Sequence, residues 1–144
     1  MGVSSDTIFT ITNQKQFEKM ALKVFRFQYE NNLVYRKFCD FLKTNVQNVK
    51  SIRAIPFLPI QFFKNHKIIS NTNPIQATFT SSGTTGIHTS THWVTDIAIY
   101  EESYRRGFSQ FYGDITNYAV LALLPSYLER KGSSTVFAQA RKKQ

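Results

Sequence analysis

The chain has 144 residues, of which 42% are hydrophobic and 19% charged, values typical of one globular domain with a buried core rather than of a disordered chain. Its formal charge of +9 favours anionic partners without choosing among a nucleotide, nucleic acid, an acidic protein and a membrane surface. A single cysteine excludes an intramolecular disulfide, and with no secretory signal and no membrane-spanning apolar run the sequence predicts a cytoplasmic protein.

Two amphipathic helices are predicted in the N-terminal third. The first covers about residues 13–30, with Asn13 as its N-cap. Its apolar face is formed by Phe17, Met20, Ala21, Val24 and Phe25. The opposite, basic face is formed by Lys15, Lys19, Lys23 and Arg26. We interpret the basic face as solvated, with a nucleic-acid or membrane-binding face as the alternative. A second helix follows Asn31-Asn32, and Cys39 within it is predicted to be a buried core residue rather than a nucleophile.

The middle of the chain is predicted to be mostly extended. Residues 51–63 contain two prolines that forbid a continuous helix, so we expect an aromatic-rich connector with a short helical turn after Pro59. Residues 67–70 are predicted as a short strand and residues 71–74 as a turn. From residue 75 to residue 80, apolar and polar side chains alternate, which predicts a half-buried strand.

A helix and a third strand are predicted after residue 95. The helix covers about residues 96–112, capped by Thr95 or Asp96. Its apolar face is formed by Ile97, Tyr100, Tyr104, Phe108 and Phe111. Residues 118–124 are a continuous apolar run before a proline, which predicts a strand buried on both faces. The order strand, loop, helix, strand is a βαβ unit, so we expect an α/β domain, or an α+β one, with a partly parallel sheet and residues 1–144 in a single domain.

The loop between the strand predicted at residues 75–80 and this helix carries the strongest functional signal. Every position from 80 to 86 is a hydroxyl residue or a glycine, in the order Thr80, Ser81, Ser82, Gly83, Thr84, Thr85, Gly86. Hydroxyls and the backbone N–H groups that glycine exposes can surround a phosphate. The loop lacks the Gly-Lys-Ser/Thr of a Walker A motif and the pattern of a Rossmann dinucleotide site. On composition alone, a purely structural turn remains the alternative.

Other candidate sites are weaker. His88 and His92 are four residues apart, but the residues between them form a poor helix and no glutamate accompanies them, so no metal site is predicted. No nucleophile elbow of a serine hydrolase is present. Trp93 is interpreted as a core residue rather than a platform for base stacking.

The loop and two flanking segments together resemble one enzyme family. Residues 80–86 are similar to the phosphate-binding signature of acyl-adenylate-forming enzymes. Residues 55–64, Ile-Pro-Phe-Leu-Pro-Ile-Gln-Phe-Phe-Lys, and residues 124–130, Leu-Pro-Ser-Tyr-Leu-Glu-Arg, resemble acyl-protein synthetases of the LuxE type. The resemblance runs from about Phe9 to Ser134, with the three motifs in the family's order.

This resemblance implies a chemistry and a set of residues. Family members activate a fatty acyl group with ATP and Mg²⁺ as an acyl-adenylate and then transfer it to a cysteine. It implies that Thr80–Gly86 binds the nucleotide, and it makes Tyr127 a candidate for lining the pocket, unless that tyrosine only anchors its turn. It assigns no catalytic side chain. Thr89 stands where many adenylate-forming enzymes carry a lysine, and Cys39 does not match the acyl-accepting cysteine.

The resemblance also implies that the chain is the N-terminal portion of a longer enzyme. Family members are longer, and their acyl-accepting cysteine lies far toward the C-terminus. We therefore expect a truncated product or a fragment, with a protein partner supplying the missing half or the acyl acceptor. The alternatives are a catalytically inactive interaction module that keeps the fold and, on charge alone, a basic nucleic-acid-binding module.

Overall fold

The computed structural model describes residues 5–81 and 89–119. The helices are α1 (Ser5–Ile8), α2 (Gln14–Asn31), α3 (Leu33–Phe41), α4 (Phe62–Asn65) and α5 (Ile97–Tyr112), and the strands are β1 (Ala77–Thr80) and β2 (Thr91–Val94). Single 3-10 turns cover Ile52–Ala54 and Ile115–Asn117. The mixed α/β class is therefore confirmed. The chain divides into two compact units, Met1–Asn73 and Pro74–Gln144, and the single-domain organisation stays a prediction.

Helix α2 begins where the sequence predicts it. The side chain of Asn13 accepts a hydrogen bond from the backbone N–H of Gln16, which confirms this residue as the N-cap. The four basic side chains of the predicted polar face are exposed, as expected. The predicted apolar face is wrong at one end, because Phe17 is 49% exposed while Phe25 is buried. The periodicity placed Phe17 and Phe25 on one face of α2. The core cluster of the first unit includes Phe25, in the C-terminal half of the helix, and does not include Phe17.

Asn32 ends α2 and begins α3. Its backbone N–H donates to the carbonyl of Gln28 at 2.8 Å, and its Oδ1 accepts from the N–H of Tyr35 at 3.0 Å. Its Nδ2 donates to Oγ of Ser70 at 3.3 Å. The side chain of Arg36 donates to the last carbonyls of α2, including that of Tyr29 at 2.8 Å. Carbonyls at the C-terminus of α2 and an N–H group at the N-terminus of α3 are thus hydrogen-bonded by two residues, Asn32 and Arg36.

The core of the first unit lies between α2, α3 and the connector. Its buried residues are Phe25, Tyr35, Cys39 and Val49. The ring of Tyr35 contacts that of Phe25 edge to face, with centroids 6.2 Å apart. The hydroxyl of Tyr35 donates to the carbonyl of Pro56 at 2.6 Å, which fastens the connector to α3. Burial raises the pKa of Tyr35 well above its usual value.

The connector follows the expectation set by its prolines. Residues 55–61 contain no helix, and the short helix α4 begins shortly after Pro59, whose carbonyl accepts from the N–H of Phe62. The strand predicted at residues 67–70 is wrong. This segment is irregular, because its backbone joins no strand ladder although its two isoleucines are half-buried. The turn at residues 71–74 is confirmed by the Asn71 side chain, which accepts from the N–H of Asn73.

The described part of the second unit contains two paired strands and helix α5. β1 pairs antiparallel with β2, with Ala77 opposite Val94 and Thr80 opposite Thr91. Phe79, buried on β1, packs against Tyr100 of α5 with ring centroids 5.0 Å apart. Tyr100 and Tyr104 are half-buried as predicted, but Phe111 at the end of the same face is 78% exposed.

The sheet is partly described. Strand β2 was not predicted, and it separates the candidate loop from α5. Residues 120–124 of the predicted buried strand lie outside the described residues, so the parallel pairing of a βαβ unit stays a prediction. None of the helices in the described ranges combines the length and hydropathy needed to cross a bilayer.

Candidate functional site

The candidate loop joins the two strands of the hairpin. Thr80 is the last residue of β1 and Ser81 follows it, whereas residues 82–86 and Tyr127 lie outside the described residues. The chain re-enters the description at Thr89, and β2 begins at Thr91. The glycine- and hydroxyl-rich segment therefore connects two antiparallel strands, and the described chain after it, from Thr89, leads into β2 before α5.

Two serines close the base of this loop. The N–H of Ser81 donates to the carbonyl of Ser90 at 3.0 Å, and the N–H of Ser90 donates to Oγ of Ser81, also at 3.0 Å. Ser90 is buried, so its amide cannot exchange this partner for water without a free-energy cost. The hydroxyl of Ser81 is thus used to hold the two ends of the loop together. A hydroxyl oxygen that accepts one hydrogen bond retains the capacity to donate another.

The hairpin presents different side chains on its two faces. Alternation places Phe79 on the face that packs against Tyr100 of α5. The other face carries Thr78 opposite Trp93 and Thr80 opposite Thr91, all of them half-buried. The half-burial of Trp93 agrees with the interpretation of a packed residue. The packing of Phe79 supports the strand that leads into the loop.

The N-terminus of α5 is not available for an anion. Oδ1 of Asp96 accepts from the N–H groups of Ala98 and Ile99, which confirms Asp96 as the N-cap. Oε1 of Gln76 accepts from the N–H of Ile97 at 2.8 Å. The first three backbone N–H groups of the helix therefore all donate to two side-chain oxygens. One of these oxygens belongs to the carboxylate of Asp96. A phosphate on the loop would therefore not be held by the N-terminus of α5.

The sequence around the loop contains no acidic residue. From residue 74 to residue 95, a range that includes β1, the loop and β2, it contains neither aspartate or glutamate nor lysine or arginine. The formal charge of +9 therefore comes from residues outside this range. In the part of the chain that the structure describes, no three His, Cys, Asp or Glu side chains come together as a metal site. His92 is exposed on β2, and His88 lies outside the described residues.

Cys39 lies in the core of the first unit and cannot act as an accessible thiol. Its side chain is 0% exposed, as the sequence predicted for a core residue. Burial raises the pKa of this thiol, and the nearby carboxylate of Asp40 acts in the same direction, although a hydrogen bond with Tyr35 opposes them. A buried thiol with a raised pKa is a poor nucleophile at neutral pH.

Sequence reasoning missed two residues that shape the site. Ser90 and Gln76 have no motif of their own, and their roles depend on the antiparallel register of β1 and β2. The signal that could have found them is the short alternating segment at residues 91–94. Once it is paired with residues 77–80, Ser90 must lie opposite Ser81.

Comparison with known proteins gives a consistent family match. A family model described as acyl-protein synthetase, LuxE, matches residues 4–103, which include the hairpin and its loop. A long-chain-fatty-acid–luciferin-component ligase of Photorhabdus luminescens is 37% identical over 75 residues, which cover 51% of this chain and 64% of the relative. The protein of the same name from Vibrio harveyi is 32% identical over 81 residues, covering 55% of this chain and 21% of the relative. The chain thus spans less than two thirds of the length of either relative. No solved structure matches the chain significantly.

Proposed function

The chain belongs to the LuxE acyl-protein synthetase family, and on that premise we propose that residues 80–86 bind the phosphates of Mg-ATP for the activation of a long-chain fatty acid. The relatives are named as ligases of long-chain fatty acids. The observation that carries the proposal is that the Thr-Ser-Ser-Gly-Thr-Thr-Gly segment connects β1 to β2, beside which Ser81 and Ser90 are joined by two hydrogen bonds.

The proposed reaction is an adenylation. A fatty acid carboxylate attacks the α-phosphorus of ATP, an acyl phosphate bond forms, and the bond to the departing pyrophosphate breaks. Negative charge is spread over the phosphoryl oxygens in the transition state, and preorganised donors stabilise it. Ser82, Thr84 and Thr85 would supply hydroxyls, Gly83 and Gly86 would let backbone N–H groups approach, and Thr80 and Ser81 would hold the loop on the hairpin.

The metal would arrive with the nucleotide. Mg²⁺ prefers oxygen ligands and commonly retains several waters beside substrate phosphates. The triphosphate would provide most of the charge that binds the ion. The formal charge of +9 of the whole chain supports binding of a polyanion.

The second half of the family's reaction requires a thiol from outside this chain. Transfer would join the acyl carbon to a thiolate sulfur and release AMP. Cys39 is the only cysteine among the 144 residues, and it is fully buried. We therefore propose that the acyl acceptor belongs to another polypeptide segment or to a partner protein.

The proposal is tested by titrating the chain with Mg-ATP and with a non-hydrolysable acyl-adenylate analogue. Trp93 is the only tryptophan and lies on β2, so its fluorescence is a convenient second reporter beside calorimetry. We expect Thr84→Val, which removes one hydroxyl donor to a charged group, to weaken binding by about 1.5–3 kcal/mol. Gly83→Ala should weaken it as well, because an added Cβ obstructs the approach of the backbone.

A matched control is Thr116→Val in the exposed 3-10 turn at Ile115–Asn117. It makes the same chemical change outside the loop and should leave both affinities unchanged. Equal losses in Thr84→Val and Thr116→Val would contradict the assignment of the loop.

An inactive interaction module is the competing function. It is favoured by large apolar side chains that are mostly exposed on both units, such as Phe41 and Phe111. Light scattering separates the two ideas. A monomer that binds Mg-ATP supports the enzyme-like function, and a stable oligomer with no nucleotide affinity supports the module.

A further inference from the structure

The connector at residues 51–63 and the residues that flank it, 50 and 64–67, present large apolar side chains to solvent. Phe57 is 83% exposed and Ile60 is 60% exposed, and both belong to the first unit. We call residues 50–67 the connector surface. Single exposed apolar residues are ordinary in globular proteins, so their number alone decides nothing. What distinguishes this segment is how firmly it is held and which charges accompany it.

The backbone of the connector is fixed at several points. Ile55 and Leu58 pack against the core cluster of the first unit, and they lie on either side of Phe57 in sequence. The hydroxyl of Tyr35 donates to the carbonyl of Pro56 at 2.6 Å. The carbonyls of Pro59 and Ile60 accept from the N–H groups that open α4. Phe57 and Ile60 are therefore presented by an ordered segment, and binding through them costs little further conformational entropy.

The charges of the connector surface have a single sign. Its four basic residues, all of them exposed, are Lys50, Arg53, Lys64 and Lys67. The segment contains no acidic residue, and neither does the longer stretch from 41 to 95. Phe57 and Ile60 lie between Arg53 and Lys64 in the sequence. Exposed apolar side chains flanked by cations complement a surface that is apolar beneath and anionic outside.

We propose that the connector surface docks the protein on an anionic lipid bilayer. Phe57 and Ile60 would enter the interfacial region, while the lysines and the arginine would lie at the level of the lipid phosphates. A second copy of the chain is a poor occupant, because two molecules of charge +9 repel each other. An acidic protein is a less suitable occupant. Three of the four cations are lysines, and lysine is less frequent in protein–protein interfaces than on the rest of the surface, whereas anionic membranes attract it.

Vesicle flotation tests this inference with the full chain. The vesicles are pure phosphatidylcholine or an equimolar mixture with phosphatidylglycerol, at low and at physiological salt. We expect binding to the anionic vesicles that weakens with salt, and little binding to the neutral ones. No nucleotide is needed, so this experiment and the Mg-ATP titration can fail independently.

Paired variants separate insertion from plain charge attraction. Phe57→Ser with Ile60→Ser should lower the partition coefficient about tenfold, since two apolar side chains leave the interface. Phe111→Ser, an equally exposed phenylalanine of the second unit, is the control and should change it less than about twofold. Arg53→Gln with Lys64→Gln should lower it about tenfold at low salt, and Lys15→Gln with Lys19→Gln on α2 should lower it less.

In the vesicle experiments, four results would overturn the inference. They are no binding to anionic vesicles at low salt, equal binding to neutral vesicles, wild-type binding by the Phe57→Ser/Ile60→Ser variant, and an equal loss in Phe111→Ser. Sedimentation velocity supplies a further check. A dimer that the Phe57→Ser/Ile60→Ser variant dissociates would show that the connector surface is an interface between two copies instead.

Discussion

Ser81 and Ser90 exchange two hydrogen bonds at the base of the candidate loop, one through the backbone and one in which Oγ of Ser81 accepts from the amide of Ser90. The pair extends the register of β1 and β2 by one residue beyond Thr80 and Thr91. One of the hydroxyls that the sequence marks for phosphate binding therefore also has a structural task.

The first prediction concerns that hydroxyl. Ser81→Ala leaves the buried amide of Ser90 without its partner and should destabilise the hairpin by about 1–3 kcal/mol. Faster hydrogen exchange of the Ser90 amide measures this loss. Ser81→Thr keeps the oxygen and suits a strand end, so it should retain most of the protection. Equal exchange rates in the two variants would show that Oγ does not close the loop.

The second prediction concerns the N-terminus of α5. Asp96→Asn removes the carboxylate charge but keeps a good N-cap, so helix stability should change little. If the loop alone holds the phosphates, the affinity for Mg-ATP should stay within about twofold of wild type, since a charge remote from the anion is screened by salt. A large gain in affinity would instead place the anion close to this helix end.

The third prediction concerns the junction of α2 and α3. Asn32→Ala removes the N-cap of α3 and should lower the free energy of unfolding by about 0.5–2 kcal/mol. Asn32→Ser keeps a side-chain acceptor for the Tyr35 amide without burying a charge and should cost less. The neighbouring Asn31→Ala is the control, because its exposed side chain bonds only within its own helix, to the carbonyl of Phe27. Urea unfolding of the three variants gives the order.

The fourth prediction concerns alkaline pH. Burial raises the pKa of Cys39 in the folded state, so the thiol's contribution to stability is complete below its unfolded pKa and is lost as pH rises through the folded one. Stability should therefore decrease above about pH 8.5, the usual value for a thiol. Tyr35, whose pKa is also raised, extends the loss to higher pH. Cys39→Ala should lose less stability between neutral pH and pH 9 than the wild type; equal slopes would contradict this account.

Local signals predicted the helices well, because caps and periodicity are properties of adjacent residues. Asn13 and Asp96 cap the helices that their side chains were expected to begin. Periodicity could not tell which part of a face is covered, since that depends on residues distant in sequence. Phe17 and Phe111 share faces with packed residues, yet both lie where the described chain provides little cover.

Strands were harder to predict for the same reason. The segment at residues 91–94 is only four residues long and becomes a strand through its pairing with β1. Residues 67–70 contain two adjacent isoleucines, which have high β propensity, but the segment pairs with no strand. The loop itself was recognisable from residues 80–86, whereas Ser90 and Gln76 became visible only through the register of the hairpin.

The central claim is that the loop closed by Ser81 and Ser90 holds a nucleotide, and a calorimetric titration of the unmodified chain with Mg-ATP tests it most directly. The account predicts saturable binding at one site, weakened in Gly83→Ala and in Thr84→Val and unchanged in Thr116→Val. No heat of binding and no change in Trp93 fluorescence from a folded chain, with either Mg-ATP or the acyl-adenylate analogue, would contradict it.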